Sequence, residues 1–355
     1  MISLGKTRQN SGPPAIEFAG GFITALAPMQ DVTGRDFMHV IAERGPPDLF
    51  FTEFFRVHKY SKLDPGILSS ITENQTQKPI FAQVIGENLD DLKRTALDLQ
   101  RYPISGVELN MGCPAPRVYR KNVGGGLLRE PAKINQILTV LRESVEGCLS
   151  VKMRFGFEDD RNFEEILTIL DKHQIDLLSI HARTVKGGYR MKPEYSYVKK
   201  ASRTLKCPVL LNGSVESFED AINLSKSSGA RGVMIGRAAI RNPWVFRQIG
   251  EHLSGLNVFR PLFADLYEYL IHLYEILDKP NLNERKVLGR MKKFLNFVGL
   301  GVDPKGEFLF SIRRSNTQKE LFEIFERFLL LNGKREEKMP LSPFSGLVAR
   351  PSCEA

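Results

Sequence analysis

Cys113 stands at a junction where a thiol is open to chemistry. The stretch from Gly106 to Leu128 reads GVELNMGCPAPRVYRKNVGGGLL, a short strand (Gly106 to Asn110) that breaks at Gly112-Cys113-Pro114 and ends in three glycines before Leu127 and Leu128. Pro114 has no backbone N–H and disfavours helical geometry in the residue before it, so the thiol is expected on an irregular, accessible loop. The competing reading of this stretch alone is a free cysteine buried as a small apolar side chain.

Five polar residues stand at equivalent strand ends. Successive side chains of a strand point to opposite faces. Ile80, Ala82 and Val84 therefore oppose Phe81 and Gln83; Val107 and Leu109 oppose Glu108 and Asn110; Val151 and Met153 oppose Lys152 and Arg154. Leu178 and Ile180 oppose Ser179 and His181, and Val209 with Leu211 opposes Leu210 and Asn212. The polar ends of one face are Gln83, Asn110, Lys152, His181 and Asn212. One such residue reads as a satisfied structural group. Five buried together without partners would cost about 1–3 kcal/mol each, so a ligand or solvent has to meet them. Asn212-Gly213-Ser214 and Gly236-Arg237 offer backbone N–H groups and a guanidinium to a phosphate, against the alternative of two ordinary glycine turns. With Lys152 and Gln83 to hydrogen-bond a heteroaromatic ring, the ligand described is like flavin mononucleotide (FMN).

The elements that must position these groups are short apolar runs, each followed by a helical pattern. The runs are FITALAPM (22–29), LFFTE (49–53), PIFAQVIG (79–86), GVELN (106–110), LSVKMR (149–154), LLSIHAR (177–183), PVLLNG (208–213) and GVMIGR (232–237). Amphipathic stretches between them include Leu89 to Gln100, Pro131 to Val145, Phe163 to His173, Phe218 to Ser225 and Pro243 to His252. Eight such units predict an α/β fold, a (β/α)8 TIM barrel whose site lies at the C-terminal ends of the strands. A doubly wound sheet would carry G-x-G-x-x-G after its first strand, where this chain has Ala27-Pro28-Met29.

Past about residue 255 only helical spacing remains: Phe263, Leu266, Tyr267, Leu270, Leu273, Tyr274 and Leu277, then Leu321, Ile324, Phe325, Phe328 and Leu329. The expected organisation is a catalytic barrel over 1–250 and a small all-helical C-terminal domain with a tail over 251–355, the first 20 residues forming a loose lead-in. Hydrophobic content of 42% and charged content of 26% are those of a folded globular chain. Net charge of +9 favours a polyanionic partner. Between Asn283 and Arg314 eight basic residues (Arg285, Lys286, Arg290, Lys292, Lys293, Lys305, Arg313, Arg314) face three acidic ones, which suits either a solvated face or phosphates along RNA. Cys113, Cys148, Cys207 and Cys353 form no C-x-x-C pair, so neither a metal cluster nor a disulfide framework is expected. No signal peptide or membrane span is read, and a reducing cytoplasm is the expected setting.

The chain resembles the tRNA-dihydrouridine synthases. The resemblance is carried by LAPMQDVTGRDF (26–37), TEFFRV (52–57), Gln83, NMGCP (110–114), VYRKNVGGGLL (118–128), VKMRFGF (151–157), HARTVKGGY (181–189), NG (212–213) and GVMIGRAAIRNPWVF (232–246), in the family's order and spacing. It implies an FMN-binding barrel with a helical domain, in which NADPH reduces FMN, a hydride passes to C6 of a uridine in tRNA, and a cysteine gives a proton to C5. By that resemblance the catalytic residue is Cys113. FMN is held by Pro28, Met29, Gln83, Lys152, His181, Asn212, Gly213, Gly236 and Arg237, and Asn110, Arg154 and Arg183 face the uracil and its ribose phosphate. The partner implied is tRNA, with no metal and no membrane. A monomer is expected, since a large RNA needs open access to the barrel mouth. TEFFRV and the GGY after HARTVK are closest to the bacterial subgroup acting on the D-loop.

Tyr119, Ser214, Ala182 and the Gly125-Gly126 pair depart from common family residues without removing a proposed chemical group. Two other functions compete. A flavin reductase of the dihydroorotate dehydrogenase or old-yellow-enzyme kind would act on free uridine or orotate without tRNA. A non-catalytic RNA-binding barrel would be colourless, and Cys113, Lys152, His181 and Arg237 together speak against it.

Overall fold

The period-two alternation of the apolar runs has its consequence in a closed barrel. The computed structural model describes residues 20–349, Phe18, and the backbone of 3–4 and 16–17. Eight parallel strand positions follow in chain order: β1 (Ile23–Leu26), β2 (Phe50–Phe51, resumed at Phe55–Arg56), β3 (Ile80–Ile85), β4 (Gly106–Met111), β5 (Cys148–Gly156), β6 (Leu177–Thr184), β7 (Val209–Asn212) and β8 (Gly232–Ile235). Each pairs with its neighbours in sequence, and β8 pairs with β1. A bridge between Ala25 and Leu49 closes the ring, with the Leu26 N–H on the Leu49 carbonyl at 3.2 Å and the Leu49 N–H on the Thr24 carbonyl at 3.1 Å. All eight expected runs are strands.

The two faces of the strands feed two separate apolar clusters. Ile80, Ala82, Val84, Val107, Leu109, Met111, Val151, Met153, Leu178 and Ile180 pack outward on the helices. Ile23, Leu49, Phe51, Phe81, Cys148, Leu177, Leu210 and Met234 fill the barrel axis, with Phe51 and Phe81 stacked at 5.0 Å. The interior is crowded enough that a Cβ on Gly232 would stand 1.8 Å from the Ile23 carbonyl oxygen. Apolar packing thus plugs the N-terminal half of the barrel and leaves polar ends above it.

Four of the five expected helices begin at the expected residue and the fifth two residues later, and all end within a few residues of expectation: Leu89–Leu99, Pro131–Ser144, Phe163–Lys172, Phe218–Ser228 and Val245–Leu253. Asn88 and Ser217 cap two of them by accepting the N–H of Asp91 and Asp220. The cysteine loop is more ordered than its sequence suggested. It folds into a helical turn (Pro116–Tyr119) and a 3-10 turn (Gly124–Arg129) in which all three glycines are buried. A Cβ on Gly125 would meet Val185 at 2.6 Å and the Cys113 carbonyl at 2.9 Å, so the absence of side chains lets the loop settle onto the barrel.

Beyond the barrel, helices Phe263–Leu277, Glu284–Val298, Glu307–Arg314 and Gln318–Leu329 pack on one another and on the barrel helices. Phe37 and Phe294 meet across that junction at 5.1 Å. The first bundle helix buries Tyr269 where the stripe had Tyr267; Tyr267 is half-exposed, while the Tyr269 hydroxyl donates to the Ile240 carbonyl at 3.0 Å. The chain then returns across the junction. Leu262 bridges Lys338, and the Met339 and Phe344 N–H groups bond the carbonyls of Pro261 and Leu300. Of the lead-in, Ser3–Leu4 pairs antiparallel with Ile16–Glu17; Lys6, Arg8, Cys353 and the tail beyond 349 lie outside the described residues. Among the described residues no helix is long and apolar enough to cross a membrane.

Candidate active site

A cavity of about 620 Å³ opens at the C-terminal ends of the strands, within the range of small-molecule sites. Its floor is the set of polar strand ends. Lys152 Nζ on β5 donates to Asn212 Oδ1 on β7 at 3.2 Å, and Asn212 Nδ2 donates to the Met234 carbonyl of β8 at 2.6 Å. On the other side, Asn110 Nδ2 on β4 donates to Gln83 Oε1 on β3 at 2.8 Å. The register places these residues together: Asn212 is level with Met234 and His181, and Asn110 with Lys152.

Beneath this layer lies a residue to which the sequence reading gave no role. Glu108 is fully buried, accepts a short hydrogen bond from Gln83 Nε2, and stands 3.5 Å from Ser150 Oγ. Burial pushes its carboxyl toward the neutral form, against the Gln83 hydrogen bond and the Lys152 charge. Burial also lowers the Lys152 ammonium, with Glu108 opposing the shift and Arg154 adding to it. The two charges compensate each other inside the barrel.

Cys113 lines the cavity and is half-buried. The N–H groups of Gly112 and Cys113 both donate to Asn110 Oδ1 at 3.0 Å. Arg154, almost wholly buried on β5, donates through Nε to the Gly112 carbonyl at 3.1 Å and through Nη1 to the Thr184 carbonyl at 2.8 Å. Two strands therefore grip the peptide that carries the thiol.

The opposite wall is built for an anion. Gly213 takes a φ of 105°, and a Cβ there would press on the His181 ring at 3.1 Å and on Arg183 Nη1 at 3.3 Å. Arg237 lines the wall beside Gly236, where a Cβ would meet Met29 Sδ at 3.2 Å. His181 Nδ1 and Arg183 Nη1 are buried without a protein partner. Burial, reinforced by Arg154, Lys152, Arg183 and Arg237, holds His181 well below its usual pKa, so the imidazole is neutral. Two unpartnered buried nitrogens, one of them a guanidinium donor, beside a glycine cradle and the wall arginine Arg237 fit a bound phosphate, and the amide and ammonium floor fits the heteroatoms of a flat ring.

Of the expected residues, Pro28, Met29, Gln83, Asn110, Cys113, Lys152, Arg154, His181, Asn212, Gly213, Gly236 and Arg237 all line this one cavity. Arg183 is placed behind it, donating to the Met191 carbonyl and to Ser214 Oγ at 2.8 Å. Other groups at the wall had been given no part in the site. Tyr189 lies over Arg237 at 4.4 Å and Arg154 at 5.6 Å. Glu53 is raised in pKa by burial. Lys292, Lys293 and Asn296 reach the rim from the helix Glu284–Val298, with Lys293 3.4 Å from Asp31. Tyr189 was visible in the HARTVKGGY segment; the rim residues depend on a junction that no local pattern reports.

The family model described as dihydrouridine synthase (Dus) matches residues 25–284. A tRNA-dihydrouridine(16) synthase of Neisseria meningitidis is 29% identical over 312 residues, covering 85% of this chain and 93% of that protein. A probable tRNA-dihydrouridine synthase 2 of Bacillus subtilis is 29% identical over 313 residues, again covering 85% of this chain and 93% of that protein. Among solved structures, a 2-naphthoyl-CoA reductase complex superposes with a TM-score of 0.52 at 12% identity, covering 66% of this chain and 50% of that one, a likeness of fold.

Proposed function

The chain belongs to the dihydrouridine synthase family, and from that premise we propose that it reduces the C5–C6 double bond of a uridine in tRNA, using FMN recharged by NADPH. The observation that carries this reading is the meeting of Cys113, Asn110 and Arg154 at the mouth of a cavity whose floor suits a flavin ring and whose wall suits its phosphate.

Bound FMN supplies the hydride that adds to C6. The protein's own groups supply the rest. Gln83, Lys152 and Asn212 would hold the ring by hydrogen bonds, and His181, Arg183, Gly213, Gly236 and Arg237 would hold the phosphate. Hydride addition leaves an enolate spread over C5 and the C4 carbonyl of the uracil. A neutral thiol, ordinarily titrating near pKa 8.5, is a competent acid for C5, and Cys113 at the cavity edge holds that proton. One hydride and one proton complete dihydrouridine. Asn110 and Arg154 hold the thiol-bearing peptide and border the uracil.

A uridine of folded tRNA must leave its stack to reach the cavity, at a cost of a few kcal/mol that phosphate contacts can offset. We assign residues 1–250 to catalysis and 251–355 to presenting the RNA, as a monomer. The basic stretch supports that assignment with six exposed cations (Arg285, Lys286, Arg290, Lys293, Lys305, Arg314). Lys292 and Arg313 differ from them. They are half-buried and donate to the carbonyls of Ser315 and Val348. TEFFRV, the GGY segment and a relative named for position 16 favour a D-loop uridine. The deciding experiment incubates unmodified tRNA with the protein, FMN and NADPH and maps the two-hydrogen mass gain; a gain at one D-loop uridine is expected, and none on any tRNA would overturn the reading.

A further inference from the structure

Hydrogen-bond direction inside the barrel is fixed from its backbone N–H end. At the opposite end Glu108 accepts from Gln83 Nε2, and that bond and the Lys152 charge favour the carboxylate against burial. Gln83 Oε1 then faces Asn110 Nδ2 at 2.8 Å, and Asn110 Oδ1 faces the N–H groups of Gly112 and Cys113, each at 3.0 Å. At the other end those backbone N–H groups only donate. Each link between them has a single consistent orientation.

We propose that Glu108 is a positioning residue: its buried carboxylate anchors a one-way chain through Gln83 and Asn110 that fixes the peptide bearing Cys113 and keeps its N–H groups away from the sulfur. Free backbone N–H groups near a sulfur stabilise a thiolate, as at a helix N-terminus. With both N–H groups given to Asn110 Oδ1, that stabilisation is denied and the thiol keeps the proton it must deliver. The chain also leaves Gln83 and Asn110 one amide N–H each beyond those already given, so the ligand edge above them has to present acceptors, as the carbonyl and ring nitrogen of a pyrimidine edge do. The Lys152 and Arg154 charges face the same sulfur from β5 and act on it independently of the chain.

The inference deepens the proton-donor reading of Cys113 and rests on it, yet its test needs neither flavin nor tRNA. In flavin-free protein, backbone amide exchange at Gly112 and Cys113 and the pH profile of Cys113 alkylation by iodoacetamide are measured for wild type, Glu108→Gln and Glu108→Leu. Glu108→Gln keeps an acceptor for Gln83 while removing the charge; Glu108→Leu removes both. Loss of amide protection by tenfold or more and a lower alkylation midpoint are expected in Glu108→Leu, with both restored toward wild type in Glu108→Gln. Equal behaviour of the two variants, or protection unchanged in Glu108→Leu, would overturn the chain. Should Glu108→Leu fail to fold, Asn110→Asp against Asn110→Leu repeats the comparison one link further on, with protection kept in the first and lost in the second; protection equal in both would overturn it. A colourless protein, or one inactive on tRNA, would sink the function proposed above and leave these results standing.

Discussion

Arg154 Nε donates to the carbonyl of Gly112 at 3.1 Å, so the fifth strand holds the peptide that precedes the thiol on the fourth. The same guanidinium holds the Thr184 carbonyl, a geometry that a point-charge ammonium cannot reproduce. Arg154→Lys should therefore slow single-turnover dihydrouridine formation roughly 10–100-fold, the rate equivalent of about 1.5–3 kcal/mol for a hydrogen bond to a charged group. Flavin binding should change little, and an unaltered rate would remove Arg154 from the active constellation.

Cys113→Ala removes the proposed acid while leaving the flavin floor in place. The variant should stay yellow and lose roughly 10²–10⁴-fold in dihydrouridine formation, the range of a general acid. Reduction of the flavin by NADPH should proceed at the wild-type rate. Equal turnover of Cys113→Ala and wild type would assign the proton to another group.

Arg237 tests the phosphate wall. Among the described residues the contact given for its guanidinium is the Tyr189 ring at 4.4 Å, so a bound phosphate gains a charge-assisted partner there without breaking another bond. Arg237→Ala should weaken FMN binding roughly 10–100-fold, read from flavin fluorescence during titration. Full flavin occupancy after extended dialysis would argue that the phosphate lies elsewhere.

The strand ends were legible because period-two alternation and turn residues act locally; Gln83, Asn110, Lys152, His181 and Asn212 needed only their own strands. Glu108 was visible as an inward residue, but its meaning depends on register. Only pairing of Gln83 with Glu108, and of Glu108 with Ser150, shows the carboxylate beneath the amides. Tyr269 and Tyr267 flank the same helical stripe, and the choice between them is made by the Ile240 carbonyl on a different helix. Residue type likewise could not separate Lys292, which is bonded to the carbonyls of Arg313 and Ser315, from the exposed Lys293 beside it.

That last distinction is measurable. Each exposed cation that meets a phosphate adds about 0.7–0.9 to the salt slope of tRNA binding. Arg290→Ala should lower the slope by about that much with no change in melting temperature. Lys292→Ala should lower the melting temperature, because its ammonium holds two carbonyls between bundle helices. Reversed behaviour of the two variants would place the RNA on a different face.

His181 gives the fold a pH dependence of known sign. Its folded pKa is depressed by burial and by Arg154, Lys152, Arg183 and Arg237, whereas an unfolded histidine titrates near 6.5. Below about pH 6.5 the unfolded chain takes up a proton that the folded one refuses, so stability is full above that value and falls as the medium is acidified, by at most about 1.4 kcal/mol per pH unit for this one group. Flavin-free protein should therefore melt at a lower temperature at pH 5.5 than at pH 7.5, and His181→Asn should show a shallower drop over the same interval. A drop of the same size in both proteins would mean that His181 takes its proton within the folded barrel, and the site wall would then carry a further positive charge.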